Sequence, residues 1–329
     1  MVQRLSGSAG WRTFIKPWSV RISLIVIALL TLTALFADMI ASDFPLIARY
    51  NGRLYIFPNL FAQKVFTTGT CPELKKRINP GDWMICSPLP FGPDHHDMTA
   101  IRQSPGFVHI LGTDDRGRDI LSRIVHGTRV SLTVGLLAVM IYMLIGTILG
   151  LTAGYYGGLW DMIISRLIEI MLSFPTVFLI FGIIGLLTNP SVLLIMIVIG
   201  LTSWAYVAQL VRGEALRLRE EAFVYAARAL GAGDLRIILR CILPGLTGQL
   251  MVTATFGISN AILIEGFLGF LGFGGEGVSW GQIFAQSDFG SMRDWWVAIP
   301  AGLALFLTVL AYNMLGEAIR EALDPKLSR

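Results

Sequence analysis

Few residue groups in this sequence have the types and spacing that chemistry requires. Two histidines stand between two aspartates in PDHHD (Pro93–Asp97), a composition that suggests metal binding. Side chains that are adjacent in one loop rarely converge on a single ion, because a metal such as zinc takes ligands from several directions. We therefore expect a solvated loop here and no metal site.

The glycine-rich stretch EGFLGFLGFGGEG (Glu265–Gly277) invites comparison with a nucleotide-binding loop. Such a loop needs Gly-Lys followed by Ser or Thr, and the chain contains no Gly-Lys pair. The sequence also lacks His-Glu-x-x-His, the signature of zinc metalloproteases. We expect an irregular turn at this place, a chain that is not an enzyme and no cofactor bound by it.

The segment EEAFVYAARALGAGDLRIILRCILPG (Glu220–Gly245) is polar and alanine-rich, although it stands between two apolar runs. It predicts a first helix that ends at Gly231, since glycine accepts the left-handed backbone conformation. Asp234 is placed to cap a second helix, and Pro244 follows where the chain turns into the next apolar run. The alanines form a low surface that a partner could cover, with arginines at its rim. A loop that packs only on its own helices is the alternative.

The elements around this segment are those of a membrane protein. Only 15% of the residues are charged, whereas soluble domains carry about 25%. Six apolar runs reach the ~20 residues that a helix needs to cross a bilayer. The sequence thus predicts an all-α membrane protein with six transmembrane helices, near Ile22–Ala41, Ser131–Ala153, Ile163–Leu187, Ser191–Val211, Leu246–Gly266 and Trp296–Leu315.

Lysine and arginine predict the orientation of these helices. With a cytoplasmic N-terminus, the inside segments hold 14 of the 26 basic residues and the short outside loops hold only Arg293. The other 11 lie in the segment 42–130, which is too long to obey the positive-inside rule. Both termini are then cytoplasmic, and residues 1–41 comprise the N-terminus and an uncleaved first helix. Residues 42–130 form an extracytoplasmic insert, and residues 131–329 a core whose cytoplasmic loop is 212–245. This topology, with anionic lipid, explains the formal charge of +4 without a nucleic-acid partner.

The insert has its own local signals. Alternating residues around Asn-Gly predict a hairpin in Tyr50–Pro58. Cys71 and Cys86 either form a disulfide in this oxidising compartment or are two unrelated thiols, and Cys241 is cytoplasmic. Asp119–Ile124 predicts the start of an amphipathic surface helix. The arginines around it would face headgroups or neighbouring protein, namely Arg118, Arg123 and Arg129.

Three features stand out within the predicted spans. Glycines at steps of four on one helix face predict close approach of another helix, and they are Gly146, Gly150 and Gly154. Pro175 predicts a kink in the third span. In the fifth span Glu265 falls near the outer interface, where it either snorkels or lines a transport pathway. Gln249 and Asn260 are weaker pathway candidates, with an interhelical hydrogen bond as the alternative.

Several motifs together carry a family resemblance over residues 105–329. They are YAARALGAGDLRIILRCILP in the cytoplasmic segment, HILGTDDRGRDILSRIVHGTRVSLTVG (His109–Gly135), AGYYGGLWD (Ala153–Asp161), GFLGFG with SWGQI, and GEAIREALDPKL (Gly316–Leu327). In this order they resemble the C-type permease of dipeptide, oligopeptide and nickel ABC importers. The outer stretch PLIARYNGRLYIFP further resembles the YejE-like subgroup, which is associated with oligopeptide and microcin C uptake.

The resemblance implies a role for the cytoplasmic segment. In such permeases a short helix of this loop docks in a groove of the ATPase and transmits nucleotide-driven closure. Here that role falls on Tyr225, Ala226, Ala227, Arg228, Gly231 and Asp234. Tyr225 stands where the general motif often has Glu, and Cys241 stands where the peptide subfamily often has His.

The resemblance also implies partners and an activity. The partners are a second, B-type permease, two cytoplasmic ABC ATPases that use ATP and magnesium, and an extracytoplasmic peptide-binding protein. The expected activity is ATP-driven import of peptides through a bacterial inner membrane by alternating access. A permease for nickel or a metal chelate is the alternative within this family. A stand-alone secondary transporter or channel, or a membrane anchor without transport, are alternatives outside it.

Overall fold

The computed structural model describes residues 17–59, 66, 69–76, 79, 81–187, 190–287 and 294–323. Most of them are helical. The helices along the described chain are α1 (Trp18–Leu35), α2 (Ala37–Ile40), α3 (Cys71–Lys75), α4 (Ile120–Tyr156), α5 (Gly158–Ser173), α6 (Thr176–Gly185), α7 (Val192–Arg219), α8 (Ala222–Ala229), α9 (Asp234–Ile237), a π-helical segment (Ile238–Ile242), α10 (Leu243–Phe270), α11 (Trp280–Ala285) and α12 (Trp295–Leu323). The strands are β1 (Pro45–Tyr50), β2 (Arg53–Ile56) and β3 (Trp83–Cys86).

The chain folds into two compact units. The first comprises Met1–Ile27, Val134–Ile264 and Thr308–Arg329, and the second comprises Ala28–Thr133 and Glu265–Leu307. Four of the long helices continue from one unit into the other, so the boundary between the units does not coincide with loops.

Among the described residues, five helices are long and apolar enough to cross a membrane by themselves. They are α1, α4, α7, the continuous helix from Asp234 to Phe270, and α12. The predicted third span is instead a pair of helices, α5 and α6, bent by 80° at the break. The bend lies at Pro175, which precedes α6 in an extended conformation, so the predicted kink is confirmed. The expected count of six is reached only if this broken pair is one span.

The second span begins earlier than the sequence indicated. Asp119–Ile124 does not start a separate surface helix, because α4 runs without a break from Ile120 into the apolar run. Its first turns belong to the second unit. Just before the helix, Arg118 Nε donates to Asp114 Oδ2 at 2.7 Å, and Arg123 Nε in the helix lies 3.7 Å from the same oxygen. Both arginines are buried, so they hold this fold together and do not face headgroups.

The insert contains a small antiparallel sheet, which corrects the all-α prediction. The strand order is β2-β1-β3. The predicted hairpin is confirmed as β1 and β2, with Tyr50 opposite Arg53 in the register. Asn51 and Gly52 connect them with φ of 50° and 74°, the positive values that a type I′ turn needs. The Asp82 carboxylate accepts hydrogen bonds from the backbone N–H groups of both turn residues.

A disulfide closes the insert on itself. Cys71, the first residue of α3, is bonded to Cys86, the last residue of β3, and their Cα atoms are 5.7 Å apart. Cys71 is fully buried and packs with Ala48, Phe66 and Met84. The insert therefore has its own apolar core and its own covalent link.

Candidate functional site

The segment between α7 and α10 forms two short helices joined by a tight turn. The first helix, α8, ends in a Schellman arrangement in which Gly231 has φ of +80°. The Gly231 N–H donates to the Arg228 carbonyl and the Ala232 N–H to the Ala227 carbonyl, both at 3.0 Å. The glycine therefore ends the first helix, as the sequence predicted.

Buried side chains anchor the helix pair. Val224 in α8 and Ile237 in α9 are fully buried, as is Ile242 in the π-helical segment. Other apolar side chains of the segment are exposed, from 46% for Phe223 to 88% for Leu230. We call these exposed residues the apolar surface of the helix pair, made of Phe223, Tyr225, Leu230, Leu235 and Leu239. A solvated loop has no need of so many exposed apolar groups, so this surface suits a protein partner.

The predicted coupling residues lie on or beside this surface. Ala226 and Gly231 are exposed, and Ala227 is half-buried. The Tyr225 hydroxyl donates to Glu220 Oε2 at 2.5 Å. This hydrogen bond, together with Arg219, lowers the pKa of the Glu220 carboxyl, and it raises the pKa of the Tyr225 phenol.

Arg228 and Asp234 converge on a residue to which the sequence assigned no role. The Tyr155 hydroxyl, at the end of α4, donates to Asp234 Oδ1 at 2.6 Å. Arg228 Nη2 donates to the same hydroxyl at 3.4 Å, and its guanidinium lies 5.9 Å from the centre of the Tyr155 ring. The N-cap of α9 is Gly233 and not Asp234, whose side chain caps no N–H group. The expected capping role of Asp234 is therefore wrong.

The second helix does not end at Pro244. The Leu243 N–H bonds to the Ile238 carbonyl in the π-helical segment, one residue further back than in an α-helix. A π turn is wider than an α turn, and it accommodates the proline ring where the ring would otherwise meet the preceding carbonyl. Helix α9, the π segment and α10 consequently form one continuous helix, Asp234–Phe270. Cys241 lies in its π segment and is half-exposed.

The glycine face predicted in the second span is confirmed, and its partner is α7. A Cβ atom on Gly146 would lie 2.7 Å from Val207 Cβ, and one on Gly150 would lie 2.6 Å from the Ala208 carbonyl oxygen. A Cβ atom on Gly154 would lie 2.7 Å from Ala215 Cβ. Real Cβ contacts are longer than this, so α4 and α7 approach at a distance that only glycine allows.

An ion pair links α5 to α7 in the same unit. Both nitrogens of the Arg212 fork donate to the Asp161 carboxylate, with Nη2 at 2.8 Å from Oδ2. Arg219, at the end of α7, donates to the Gly154 carbonyl at 3.2 Å. These polar contacts hold the end of α4 and the start of α5 against α7.

A cavity of about 1120 Å³ lies within the first unit. Gln249 and Asn260 line it, so two of the three pathway candidates from the sequence lie on one cavity. Its lining also includes Glu214 and Arg320, which the sequence did not single out. The other polar lining groups are neutral hydroxyls, among them Tyr142, Thr202, Ser203, Tyr206 and Thr253.

Glu265, the third candidate, is placed differently. It belongs to the second unit and is 4% exposed. Its Oε2 atom accepts a hydrogen bond from the Ser131 hydroxyl at 2.9 Å. Glu265 is not among the residues that line the cavity of the first unit, and a pathway role for it stays a prediction.

A family model described as the inner membrane component of binding-protein-dependent transport systems matches residues 146–329. The chain belongs to this family. It is therefore a permease subunit of an ABC importer and a multi-pass protein of the inner membrane. A stand-alone transporter and a transport-inactive anchor are both excluded by this membership.

Individual relatives agree with the family match. The dipeptide transport system permease protein DppC of Alkalihalophilus pseudofirmus is 44% identical over 228 residues, which is 68% of this chain and 74% of that protein. The glutathione transport system permease protein GsiD of Pectobacterium atrosepticum is 37% identical over 242 residues, 73% of this chain and 80% of that protein.

A solved structure of the MetNI methionine ABC transporter in inward-facing conformations is also similar. It is 19% identical, covers 61% of this chain and 97% of its own, and has a TM-score of 0.48.

Proposed function

We propose that this permease subunit moves peptides or peptide-like compounds into the cytoplasm. The relatives named for dipeptide and glutathione transport support this cargo. The cavity of about 1120 Å³ is large enough for a small peptide, and its amide and hydroxyl groups can exchange hydrogen bonds with a peptide backbone. Gln249 and Asn260 are the pathway residues that we propose to contact the cargo.

The proposed partners are a second, B-type permease, two ABC ATPases and an extracytoplasmic peptide-binding protein. ATP and magnesium are used by the ATPases, so this chain binds neither. ATP-driven closure of the ATPases would press on the helix pair α8 and α9. The permease would then open to the loaded binding protein, and hydrolysis would return it to the inward-open state.

This mechanism requires the helix pair to face the cytoplasm and the insert to face the opposite side. Two observations support that topology. Outside the long insert, 14 basic residues lie in the proposed inside segments and only Arg293 lies in a short outside loop. The insert contains a disulfide, and disulfides persist in oxidising compartments outside the cytoplasm. Both termini would be cytoplasmic.

The apolar surface of the helix pair is the single observation that carries the coupling role. It is exposed, lies next to the hydrogen-bonded turn at Gly231 and is backed by buried anchors. We propose that it docks on an ATPase through Tyr225, Ala226, Ala227 and Gly231. Arg228 and Asp234 belong to the same site, although their side chains turn towards Tyr155.

Replacing Gly231 tests this docking directly. Apart from its chain neighbours, no atom of the described residues lies within 4 Å of a Cβ atom added there, so Gly231→Trp adds bulk that starts in open space. The φ of +80° strains tryptophan as it does other side chains. Because overpacking a contact costs about 1–3 kcal/mol, co-purification of the ATPases should fall about tenfold or more.

Gly231→Asn is the matched control, since asparagine tolerates positive φ with little added bulk. It should retain ATPase association. If Gly231→Trp retains both ATPase association and cargo-stimulated ATP hydrolysis, the coupling assignment is wrong.

The cargo is tested in a deletion strain complemented with the complete transporter. Growth on peptides as the sole source of a required amino acid supports peptide import. Restored nickel uptake without growth on peptides would instead favour the metal alternative.

A further inference from the structure

We propose that Tyr155 is a positioning residue for coupling, whose hydroxyl fixes the helix pair α8 and α9 to the end of α4. This inference rests on the proposed docking of that pair on an ATPase. Tyr155 itself would touch neither the ATPase nor the cargo. It would act by keeping the pair from tilting when the partner presses on it.

The contacts converge on one oxygen atom. The Tyr155 hydroxyl donates to Asp234, the first residue of α9, at 2.6 Å, and it accepts from Arg228 of α8 at 3.4 Å. One hydroxyl thus bridges both helices across the Gly231 turn. The Tyr155 side chain is 6% exposed, whereas Arg228 and Asp234 are exposed, so the bridge joins a buried side chain of α4 to the surface of the helix pair.

The base of this bridge is rigid. Tyr155 follows Gly154, where α4 packs against Ala215 of α7 at glycine distance. Arg219 also donates to the Gly154 carbonyl at 3.2 Å. The end of α4 is therefore fixed to α7 by two contacts, so a group that bonds to Tyr155 is connected to both helices.

The turn that the bridge spans has open space around it. Apart from chain neighbours, a Cβ atom added at Gly231 or Gly233 would have no described atom within 4 Å. The turn is held by its own backbone hydrogen bonds, and the Tyr155 hydroxyl adds the side-chain contact that ties α8 and α9 to α4. Without the hydroxyl, α8 and α9 would tilt when the ATPase presses on them. ATP would then be hydrolysed without full movement of the permease.

The test is Tyr155→Phe in the complete complex of both permeases, both ATPases and the binding protein, reconstituted in liposomes. The readout is the number of ATP molecules hydrolysed per radiolabelled dipeptide imported. Loss of a hydrogen bond to a charged group should raise this ratio about tenfold. The matched control is Tyr156→Phe, because Tyr156 is exposed and its hydroxyl makes no hydrogen bond to a described residue. This control should leave the ratio unchanged.

Variants of Asp234 provide a second route to the same answer, including the case in which Tyr155→Phe lowers the yield of complex. Asp234→Ala should raise the ratio as Tyr155→Phe does, and Asp234→Asn, which keeps an acceptor oxygen, should give an intermediate value. The double variant Tyr155→Phe/Asp234→Ala should be no worse than either single one, since both remove the same bond.

A wild-type ratio in Tyr155→Phe or in Asp234→Ala overturns the positioning role and leaves the proposed function intact. Equal effects of Tyr155→Phe and Tyr156→Phe overturn it too, because the effect would then be a general one of losing a hydroxyl. The proposed function has a separate criterion: the wild-type complex must import the dipeptide when ATP is supplied.

Discussion

At the scale of single residues, the ion pair between Asp161 and Arg212 differs from the other charged pairs of the first unit. Both side chains are mostly buried and the guanidinium contacts the carboxylate through two nitrogens. Asp161→Ala leaves a partly buried charge without its partner, so we expect a loss of about 2 kcal/mol in stability. Thermal unfolding of the purified complex in detergent measures it.

The pair Arg166–Glu169 is the control for that prediction. Its side chains are 72% and 58% exposed, and exposed pairs contribute little because water and salt screen them. Glu169→Ala should change stability by less than about 0.5 kcal/mol. Equal destabilisation by the two substitutions would contradict the argument from burial.

Residue identity predicted some contacts of the site and missed others for a physical reason. The helix end at Gly231 was predictable, because a backbone position with positive φ favours glycine. Asp234 was misread because an acidic residue at a helix start suits both a cap and the first turn. Only the fold shows that the hydroxyl of Tyr155, 79 residues away in sequence, donates a hydrogen bond to the Asp234 carboxylate. The pair Tyr155-Tyr156 next to Gly154 carried no signal for this.

At the scale of secondary structure, the glycine face of α4 sets how closely α7 can pack. Gly150→Leu would force a Cβ atom to 2.6 Å from the Ala208 carbonyl oxygen and 2.9 Å from Val211 Cβ. Neither is the end of a flexible side chain, so the helices must separate. We expect a loss of about 2–3 kcal/mol in thermal unfolding, or failure to assemble.

Gly213 of α7 is the control, because a Cβ atom there would have nothing within 4 Å. Gly213→Ala should be neutral or stabilise the protein by up to about 1 kcal/mol, since alanine favours the helix more than glycine does. Destabilisation by Gly213→Ala as large as that by Gly150→Leu would contradict the argument from packing, because helix propensity favours alanine and nothing crowds its Cβ atom there.

Helix boundaries were harder to predict than helix existence. The apolar runs predicted the spans, and the spacing of glycines predicted the close packing of one of them. Pro175 predicted the break in the third span. The sequence ended the second coupling helix at Pro244 because proline usually stops a helix, whereas the π turn at Ile238–Ile242 carries the helix past it. It also began the second span too late, because polar residues such as Arg123 resembled surface residues. Their acidic partner, Asp114, comes from a loop whose position depends on the whole unit.

At the scale of the whole molecule, the insert should be stabilised independently of the coupling site. The disulfide closes a separation of 15 residues, a loop for which the entropic gain is about 3 kcal/mol. Replacing both Cys71 and Cys86 by Ser should make the insert sensitive to protease. ATPase association through α8 and α9 should not change.

Cys241→Ser is the control for this prediction, because that cysteine is free and half-exposed. It should leave protease sensitivity of the insert unchanged. Loss of ATPase association in the Cys71/Cys86 double variant would show that the two regions are not energetically independent.

The link between Cys71 and Cys86 also bears on how the protein is made. On the proposed topology this bond forms only after the insert has crossed the membrane, because the cytoplasm keeps thiols reduced. Every copy inserted in that orientation then carries the disulfide. A copy inserted in the opposite orientation would carry two free thiols in the insert, so the state of these two cysteines distinguishes the two products of membrane insertion.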